Sequence, residues 1–436
     1  MNKKLHLLTI AVLLSAALIS GCASAPKITE NTIIKIYADK KPQIKENPVI
    51  LVPGVFGTIL REGNSGKVIW GRIREGLINE LELPIDSTNI PENKDSVEPV
   101  KTIKDFSWMG GLVKKDIYER VQDVAEKAAG YTPGVDAFSL SYDWRRDLVE
   151  GAQRLGALID EIKLKTGRPD LKVNIVSHSA GGLIARYYAK YGTADVLGGD
   201  TVPQPTYAGA KNINKIIMLG TPNRGAIESF KDIHKGLLIP GIGFVPKKAF
   251  FSMPSGYELM TFDGDTAFVD TKGNDLDISL YDPANWERYG WSVFGSVASE
   301  EERAKQRKFL AAALKRASMF QKALWSGDPE EERKHITYIV LGSDANPTLD
   351  KALLSDVEGR GKPQFHPSEE TVSSKAFVQG DGTVTRKSLL GTHTGRDAEK
   401  ELPSAYEIFF AQDHIDMPND PTFLDNVLHS LLDKRN

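Results

Sequence analysis

The stretch VNIVSHSAGG, residues 173–182, carries the clearest indication of the fold. The apolar run VNIV leads into SHSAGG, and LIARYYAKYG follows with the apolar spacing of a helix and a final glycine. A strand, a tight turn and a helix in this order are the context of a nucleophile elbow, whose pattern is G-x-S-x-G. Ser177 stands where the first glycine belongs. The stretch therefore indicates either an active serine, Ser179, or an ordinary strand-to-helix turn.

The residues around Ser179 are small, as such a turn requires. A sharp turn packs a strand end against a helix start, so the positions two before and two after the serine have little room. Gly181 meets this requirement, and Ala180 and Gly182 keep the helix start slim. Ser177 adds only a hydroxymethyl group, which weakens the pattern without excluding it.

Apolar runs similar to 173–178 recur along the chain, and helical patterns lie between several of them. The runs are VILVPG (49–54), FSLSYDW (138–144), KIIMLGTP (215–222), ITYIVLG (336–342) and YEIFFAQ (406–412). Residues 113–130 and 148–167 carry apolar residues at three- and four-residue spacing and end at glycine. This alternation predicts an α/β fold with a mostly parallel sheet flanked by helices.

Residues 226–334 interrupt the alternation with about a hundred positions between two strand candidates, far more than an ordinary connection. The segment is first apolar and rich in Gly and Pro, and it ends in a strongly charged helical pattern at 299–324. We predict a cap or lid subdomain at 226–334, inserted between two parts of one core, residues 47–225 and 335–436. Phe250 and Phe251 of this segment are candidates for a lipid-facing surface or for packing inside the cap.

A nucleophilic serine needs a base to take its proton and a carboxylate to orient that base. With this type of turn, the acid and then the base follow the serine along the chain. Asp381 lies between two glycines in VQGDGTV, where a short side chain can approach a neighbour closely. We predict Asp381 as the acid, although Asp-Gly is also a common hairpin turn.

Three histidines follow Asp381. His429 lies off the apolar face of the last helical stretch, and His393 lies in the polar loop GTHTGRDAEK. His414 directly follows the apolar run 406–412, and α/β sheets keep their chemistry at the carboxyl ends of their strands. We predict His414 as the base, with His393 as the alternative.

The charge that develops on an ester oxygen needs backbone donors. The first is the amide after the nucleophile, that of Ala180. The second comes from the loop PGVFG (53–57), where Val55 is the first choice and Phe56 the alternative. The acidic stretch at 262–277 breaks the calcium-loop pattern at Ala267 and Phe268, so we predict no metal and no cofactor.

Residues 1–21 have the pattern of a signal peptide, with a positive start and a 13-residue apolar run that is too short to span a bilayer. The run leads to LISGC, where Cys22 is the sole cysteine of the sequence. This arrangement resembles a bacterial lipoprotein signal, in which lipid is attached to the cysteine; an ordinary secretory signal cleaved near ASA is the alternative. Residues 22–46 are predicted to be a tether. We therefore expect a lipid-anchored protein of the bacterial cell envelope, on the periplasmic side of the outer membrane.

The charge balance argues against one class of partner. The 436 residues include 55 Lys and Arg and 58 Asp and Glu, so the chain lacks the basic excess of nucleic-acid-binding proteins. We expect no nucleic acid partner, and membrane lipids as the partner instead.

Several motifs occur together in one order. They are VILVPGVFGTIL (49–60), YDWRRDL (142–148), VSHSAGGLIARYY (176–188), GTPNRGA (220–226), MPSGYELM (253–260) and GDGTV (380–384). Together they resemble the lecithin:cholesterol acyltransferase family of α/β-hydrolases, by motif over roughly residues 47–430. The resemblance implies an α/β-hydrolase fold with Ser179 as nucleophile, Asp381 as acid and His414 as base. It also implies that the amides of Val55 and Ala180 form the oxyanion hole.

Members of that family act on acyl esters of phospholipids or glycerolipids, as acyltransferases or as hydrolases. The resemblance therefore predicts a serine acyl hydrolase or acyltransferase acting on lipid esters. Ser177 and the sequence of 226–334 beyond MPSGYELM depart from the family pattern, so substrate identity does not transfer. Two alternatives stay open: a general carboxylesterase or thioesterase for small soluble esters, and a catalytically inactive lipoprotein that binds lipid.

Overall fold

The computed structural model describes residues 29–38, 47–72, 76–108, 113–240, 242–355, 361–392 and 402–432. The predicted signal peptide, Cys22 and His393 lie outside these ranges. Within them, no helix combines the length and the apolar character needed to cross a membrane.

The described strands are numbered in chain order. They are β1 (Val49–Val52), β2 (Thr58–Glu62), β3 (Val68–Trp70), β4 (Val97–Thr102), β5 (Asp105–Trp108), β6 (Val113–Asp116), β7 (Ala137–Ser139), β8 (Val173–His178), β9 (Ile213–Leu219), β10 (Leu237–Ile239), β11 (Gly243–Val245), β12 (Phe268–Val269), β13 (Asp275–Leu276), β14 (Tyr338–Gly342), β15 (Asn346–Leu349), β16 (Ala352–Leu354), β17 (Pro363–Gln364), β18 (Phe377–Gly380) and β19 (Ser404–Phe409).

The described α-helices are numbered in the same way. They are α1 (Glu30–Ala38), α2 (Glu119–Lys127), α3 (Leu148–Thr166), α4 (Ala180–Tyr191), α5 (Ile227–Lys235), α6 (Lys247–Phe251), α7 (Pro254–Glu258), α8 (Pro283–Arg288), α9 (Glu300–Leu324), α10 (Pro329–His335), α11 (Glu370–Ala376), α12 (Arg386–Leu390) and α13 (Pro421–Leu432). Short 3-10 turns occur at Asn79–Leu81, Ile90–Glu92, Ala210–Asn212, Ser292–Gly295 and Met417–Asn419.

A six-stranded sheet with the order β19-β14-β9-β8-β1-β7 forms the centre of the molecule, and every neighbouring pair in it is parallel. These strands come from the six apolar runs, so the predicted parallel sheet is confirmed. Strands β1 and β8 are buried along their whole length, as expected for a parallel sheet covered on both faces.

Because side chains alternate between the two faces of the sheet, each strand contributes to two separate hydrophobic cores. On β1, Val49 and Leu51 pack with apolar residues of α1, α2 and α13. Ile50 and Val52 point to the opposite face and pack with α3, α4 and α9. The sheet is thus sandwiched between two helical layers, which is the architecture of an α/β-hydrolase fold.

The region predicted to be helical at 113–130 differs in its first turn. Residues 113–116 form β6, which pairs antiparallel with β5, and helix α2 begins only at Glu119. The prediction was wrong there because pairing with a neighbouring strand overrides local helical spacing.

Helix α9, within the predicted cap, is fixed to the core. Ser299 caps its start by accepting a hydrogen bond from the Glu302 amide. At its other end, the Leu324 carbonyl accepts hydrogen bonds from Arg186 and Lys190 of α4, both at 2.8 Å. The charged helix at the end of the predicted cap is therefore packed on α4.

Strands of the segment 226–334 also pair outside it. β12 pairs in parallel with β16, and a four-stranded sheet of order β13-β12-β16-β17 results. Phe250 and Phe251 are 5% and 1% exposed, which shows packing within the protein for both aromatic side chains. The domain boundaries at 225/226 and 334/335 stay predictions.

Candidate active site

The backbone at Ser179 has the geometry of a nucleophile elbow. Ser179 follows β8 directly and precedes α4, with φ 53° and ψ −128°. Such a positive φ is unusual for a residue with a side chain and is found at strained functional turns. A Cβ on Gly181 would lie 2.2 Å from the Val52 carbonyl oxygen, and one on Gly182 would lie 2.0 Å from the Thr221 hydroxyl. Both glycines are therefore required for the helix to start so close to the sheet.

Ser177, the departure from the elbow pattern, is accommodated inside the sheet. Its side chain is fully buried, and its hydroxyl donates a hydrogen bond of 3.1 Å to the carbonyl of Ile217 on β9. The added hydroxymethyl group thus finds both space and a partner.

The structure brings Ser179, Asp381 and His414 together. Ser179 Oγ lies 3.0 Å from His414 Nε2, and His414 Nδ1 lies 2.8 Å from Asp381 Oδ2. The second carboxylate oxygen of Asp381 accepts the amides of Thr383 and Val384 at 2.9 and 2.7 Å. These bonds fix the acid so that it holds the imidazole with Nε2 toward the serine.

Strand ends position these three side chains. Ser179 follows β8, Asp381 follows β18, and His414 lies five residues after β19. The amide of His414 also donates to the carbonyl of Asp381 at 2.9 Å, so backbone and side chain join the same two residues. Chemically, a serine hydroxyl, an imidazole and a buried carboxylate in this order can carry out nucleophilic acyl transfer.

Gly220, which follows β9, makes room for this arrangement. Its φ is 55°, and a Cβ there would lie 3.1 Å from His414 Nδ1 and 3.2 Å from Asp381 Oδ2. The same atom would lie 2.5 Å from the Met417 side chain. The sequence did not reveal this role, although GTPNRGA was one of its motifs, because nothing local shows what faces the glycine.

The loop proposed to supply an oxyanion donor runs past the serine. A Cβ on Gly54 would lie 2.8 Å from Ser179 Cβ and 3.4 Å from its Oγ. Within the described part of the chain, the amides of Val55 and Ala180 have no hydrogen-bond partner. The Ala180 amide is also the first of a 12-residue helix, where the helix dipole favours negative charge. Their role as donors, with Phe56 as the alternative, stays a prediction.

A second histidine lies against the base. The rings of His178 and His414 are 4.9 Å apart, and His178 Nε2 lies 3.1 Å from the His414 carbonyl oxygen. His178 Nδ1 lies 2.8 Å from the hydroxyl of Tyr118, which accepts the Gly54 amide at 3.0 Å. Burial, together with the neighbouring His414, holds the pKa of His178 well below its ordinary value, which favours the neutral imidazole. The sequence placed His178 in the turn but gave no sign of these contacts.

The motif YDWRRDL is structural, as its residue types suggest. Arg145 is fully buried and pairs with Asp143 at 2.7 Å and with Asp95 at 2.9 Å. Trp144 is fully buried, and its ring lies 4.6 Å from that of Phe56. The motif thus packs against Phe56 of the loop 53–57.

Of the remaining predicted or alternative residues, His429 is exposed on α13, and His393 and Cys22 lie outside the described residues. In the described part of the chain, no cluster of three or more His, Cys, Asp or Glu side chains is arranged to hold a metal ion.

Comparison with known proteins shows a family similarity over part of the chain. Residues 104–249, which include the Ser179 turn, match the family model of lecithin:cholesterol acyltransferase. Over these residues the chain is similar to the lecithin:cholesterol acyltransferase family. The match ends before Asp381 and His414, so the assignment of those two residues rests on the geometry around Ser179.

Two curated proteins resemble this chain in sequence. An uncharacterised protein of Saccharomyces cerevisiae is 25% identical over 279 residues, 62% of this chain and 38% of that protein. Lecithin-cholesterol acyltransferase-like 4 of Arabidopsis thaliana is 25% identical over 168 residues, 33% of this chain and 30% of that protein. The chain therefore spans well under half the length of these two relatives.

Among solved structures, the Tle4–Tli4 complex superposes with a TM-score of 0.49 at 12% identity, over 88% of this chain and 98% of that one. The assignment of the fold therefore rests on the topology of the central sheet.

Proposed function

We propose that this protein is a serine acyl hydrolase or acyltransferase that acts on lipid esters, phospholipid or glycerolipid. The observation that carries the proposal is the unbroken chain of hydrogen bonds from Ser179 through His414 to Asp381. An inactive lipid-binding protein has no need to retain all three groups in this geometry.

The reaction follows from the roles of these groups. His414 Nε2 takes the proton of Ser179 Oγ as that oxygen attacks the ester carbonyl carbon. The charge on the carbonyl oxygen is stabilised by the amides of Ala180 and Val55. The protonated His414 then gives its proton to the departing alcohol, which leaves an acyl group on Ser179. Water or a second alcohol, deprotonated by His414, attacks the acyl-enzyme and releases an acid or a new ester.

The match of residues 104–249 to the lecithin:cholesterol acyltransferase family model supports lipid esters as the substrates, since that family is named after acyl transfer between two lipids. Burying an acyl chain contributes roughly 0.8 kcal/mol of binding free energy per CH₂, so a long chain adds substantially to substrate affinity.

An apolar surface supports the same substrate class. Leu238 on β10 lies opposite Phe244 on β11, and Phe244 forms a bridge with Leu77 on its other side. Directly paired residues share one face of a sheet, so these three side chains form one apolar ridge. Leu77 and Leu238 are 63% and 67% exposed, whereas most large apolar side chains of the described chain are buried. We infer that this ridge meets the acyl region of aggregated lipid.

We further propose that Cys22 carries a lipid anchor. The anchor would hold the enzyme at the periplasmic side of the outer membrane in the bacterial envelope. The basis is the sequence around Cys22, and several acyl chains on one residue make anchoring stable. Cys22→Ser is expected to shift the protein from the membrane fraction to the soluble fraction while it stays folded. A variant that remains in the membrane fraction after a high-salt wash would place the anchor elsewhere.

The experiment that tests the proposed function is mass spectrometry of lipid products. The purified protein is incubated with a mixed extract of phospholipids and glycerolipids, beside the Ser179→Ala variant as control. Free fatty acids or new acyl esters that form only with the native protein are expected, and their identity separates hydrolysis from transfer. If no lipid changes while a short soluble ester is cleaved, the protein is a general carboxylesterase.

A further inference from the structure

Tyr118 and His178 link the two sides of the candidate active site. Their hydrogen bonds run without a gap from the Gly54 amide to the Tyr118 hydroxyl, on to His178, and from His178 to the His414 carbonyl, with lengths of 3.0, 2.8 and 3.1 Å. Tyr118 and His178 are both buried. This series of hydrogen bonds begins at Gly54, in the loop proposed to supply an oxyanion donor, and ends at the backbone of His414, the proposed base.

The direction of each hydrogen bond follows from the groups at the two ends. An amide only donates, so the Tyr118 oxygen accepts from Gly54. A carbonyl only accepts, so His178 Nε2 must carry a proton and donate a hydrogen bond to the backbone carbonyl of His414. With His178 neutral, Nδ1 is an acceptor, and the Tyr118 hydroxyl donates a hydrogen bond to it. Each donor finds an acceptor, and this is the single arrangement of a neutral imidazole that satisfies both ends.

A proton added to His178 would break this arrangement. Nδ1 would become a donor facing the Tyr118 hydroxyl, whose own proton would then lose its acceptor. The added charge would also lie beside His414, at a ring separation of 4.9 Å, at the moment when His414 gains a charge from the serine. Like charges at this distance repel strongly in a buried site.

Resting on the proposed function, we propose that Tyr118 and His178 are positioning residues of the acyl-transfer reaction. They hold the loop Gly54–Val55–Phe56 and the backbone of His414 at a fixed separation across Ser179. Neither residue contacts the reacting atoms. They keep the oxyanion donor and the base at the relative position that the transition state requires. A small displacement of either group lowers the rate.

The first test replaces Tyr118 by Phe, which removes one oxygen and retains the ring. Tyr118→Phe is expected to lower kcat by about 10- to 100-fold with KM for a soluble ester changed less than about twofold, because positioning acts on the transition state. The matched control is Tyr187→Phe. The Tyr187 hydroxyl also accepts a backbone amide, from Val196 at 3.1 Å, and donates to a backbone carbonyl, of Ala194 at 3.0 Å. The bonds of Tyr187 join α4 to residues 194–196 and include none of the residues in the chain of hydrogen bonds from Gly54 to His414, so the control is expected to lose similar stability and retain its kcat.

The second test separates chemistry from packing at His178. Asn can accept one hydrogen bond and donate another, so His178→Asn is expected to recover part of the kcat that His178→Ala loses. The proposal is overturned if Tyr118→Phe retains the native kcat, or if its loss of kcat equals that of Tyr187→Phe at the same loss in Tm. It is also overturned if ¹⁵N NMR of the folded protein shows the imidazole of His178 in any form other than neutral with the proton on Nε2.

The two hypotheses fail in different ways. If the native protein reacts with no fluorophosphonate and cleaves no ester, the proposed function fails, and the NMR form of His178 then decides whether the hydrogen-bond chain itself is correct. If the native protein reacts and Tyr118→Phe reacts at the same rate, the positioning role alone fails.

Discussion

At the scale of single residues, the candidate active site depends on glycines, whose lack of a Cβ leaves room for neighbouring groups. Gly54, Gly181 and Gly220 each lie where a Cβ would meet the site or the strand behind it. Gly220 is the clearest case, because the missing Cβ faces both the base and the acid. The space beside the hydrogen bond between His414 and Asp381 is therefore too small for a side chain at position 220.

Gly220→Ala is expected to lower kcat by at least tenfold, because the added methyl group must push His414 or Asp381 from its position. The positive φ of Gly220 adds a backbone penalty of about 1 kcal/mol for any other residue. Gly134→Ala is the matched control, since Gly134 has φ 75° and a Cβ added there would meet nothing within 4 Å. The measurement is ester hydrolysis together with thermal unfolding. Equal activities of the two variants would show that the space at Gly220 is not needed for catalysis.

At the scale of elements, helix α9 is held to the core by a buried charge cluster. Arg316 of α9 pairs with Asp147, the N-cap of α3, and with Asp195 at 2.9 Å. Glu258 at the end of α7 accepts the Leu148 amide at 2.8 Å, and burial and the nearby Asp147 raise its pKa well above the ordinary value. The cluster joins α3, α7 and α9, so the predicted cap and the core meet through it.

Arg316→Met is expected to lower the free energy of unfolding by about 3–5 kcal/mol, because Asp147 would remain buried without its cation. Chemical denaturation measures this. Arg307→Met on the same helix serves as the control, since Arg307 forms only exposed pairs with Glu287 and Glu300 and little change is expected. A similarly small effect for Arg316→Met would mean that apolar packing alone holds α9 in place.

The elements of the sheet could be predicted from the sequence, whereas several contacts around the site could not. Runs such as VNIV and ITYIVLG show strands because a parallel strand is apolar on both faces. The pairing of β12 with β16 joins segments more than eighty positions apart, and short strands carry no signal of their partner. His414 followed from its place at a strand end. Tyr118, His178 and Gly220 did not, because their partners come from distant segments.

At the scale of the whole molecule, we expect an enzyme adapted to aggregated substrate. In the apolar ridge, Leu77 and Leu238 are exposed and Phe244 between them is partly buried, whereas Phe250 and Phe251 are buried. Substitutions that test lipid contact therefore belong on the ridge, because truncating the buried aromatic residues would damage the fold.

For soluble esters we expect kcat/KM to rise with acyl chain length until the pocket is filled, because each buried CH₂ adds to binding. If acetate and long-chain esters are cleaved equally well and phospholipid vesicles are not cleaved, a general carboxylesterase is favoured.

The double variant Leu77→Ser, Leu238→Ser tests the ridge. It is expected to lose about tenfold in activity on phospholipid vesicles and to cleave a short acetate ester normally. Leu164→Ser is the control, since Leu164 is 84% exposed on α3 and lies outside the ridge.

The central claim is that Ser179 is a nucleophile activated by His414, and covalent labelling tests it most directly. The native protein is treated with a fluorophosphonate, digested and analysed by peptide mass spectrometry. We predict one modified serine, Ser179, with no labelling in Ser179→Ala and at least a thousandfold slower labelling in His414→Ala. Modification of Ser177 with Ser179 untouched, or labelling that does not depend on His414, would contradict the claim.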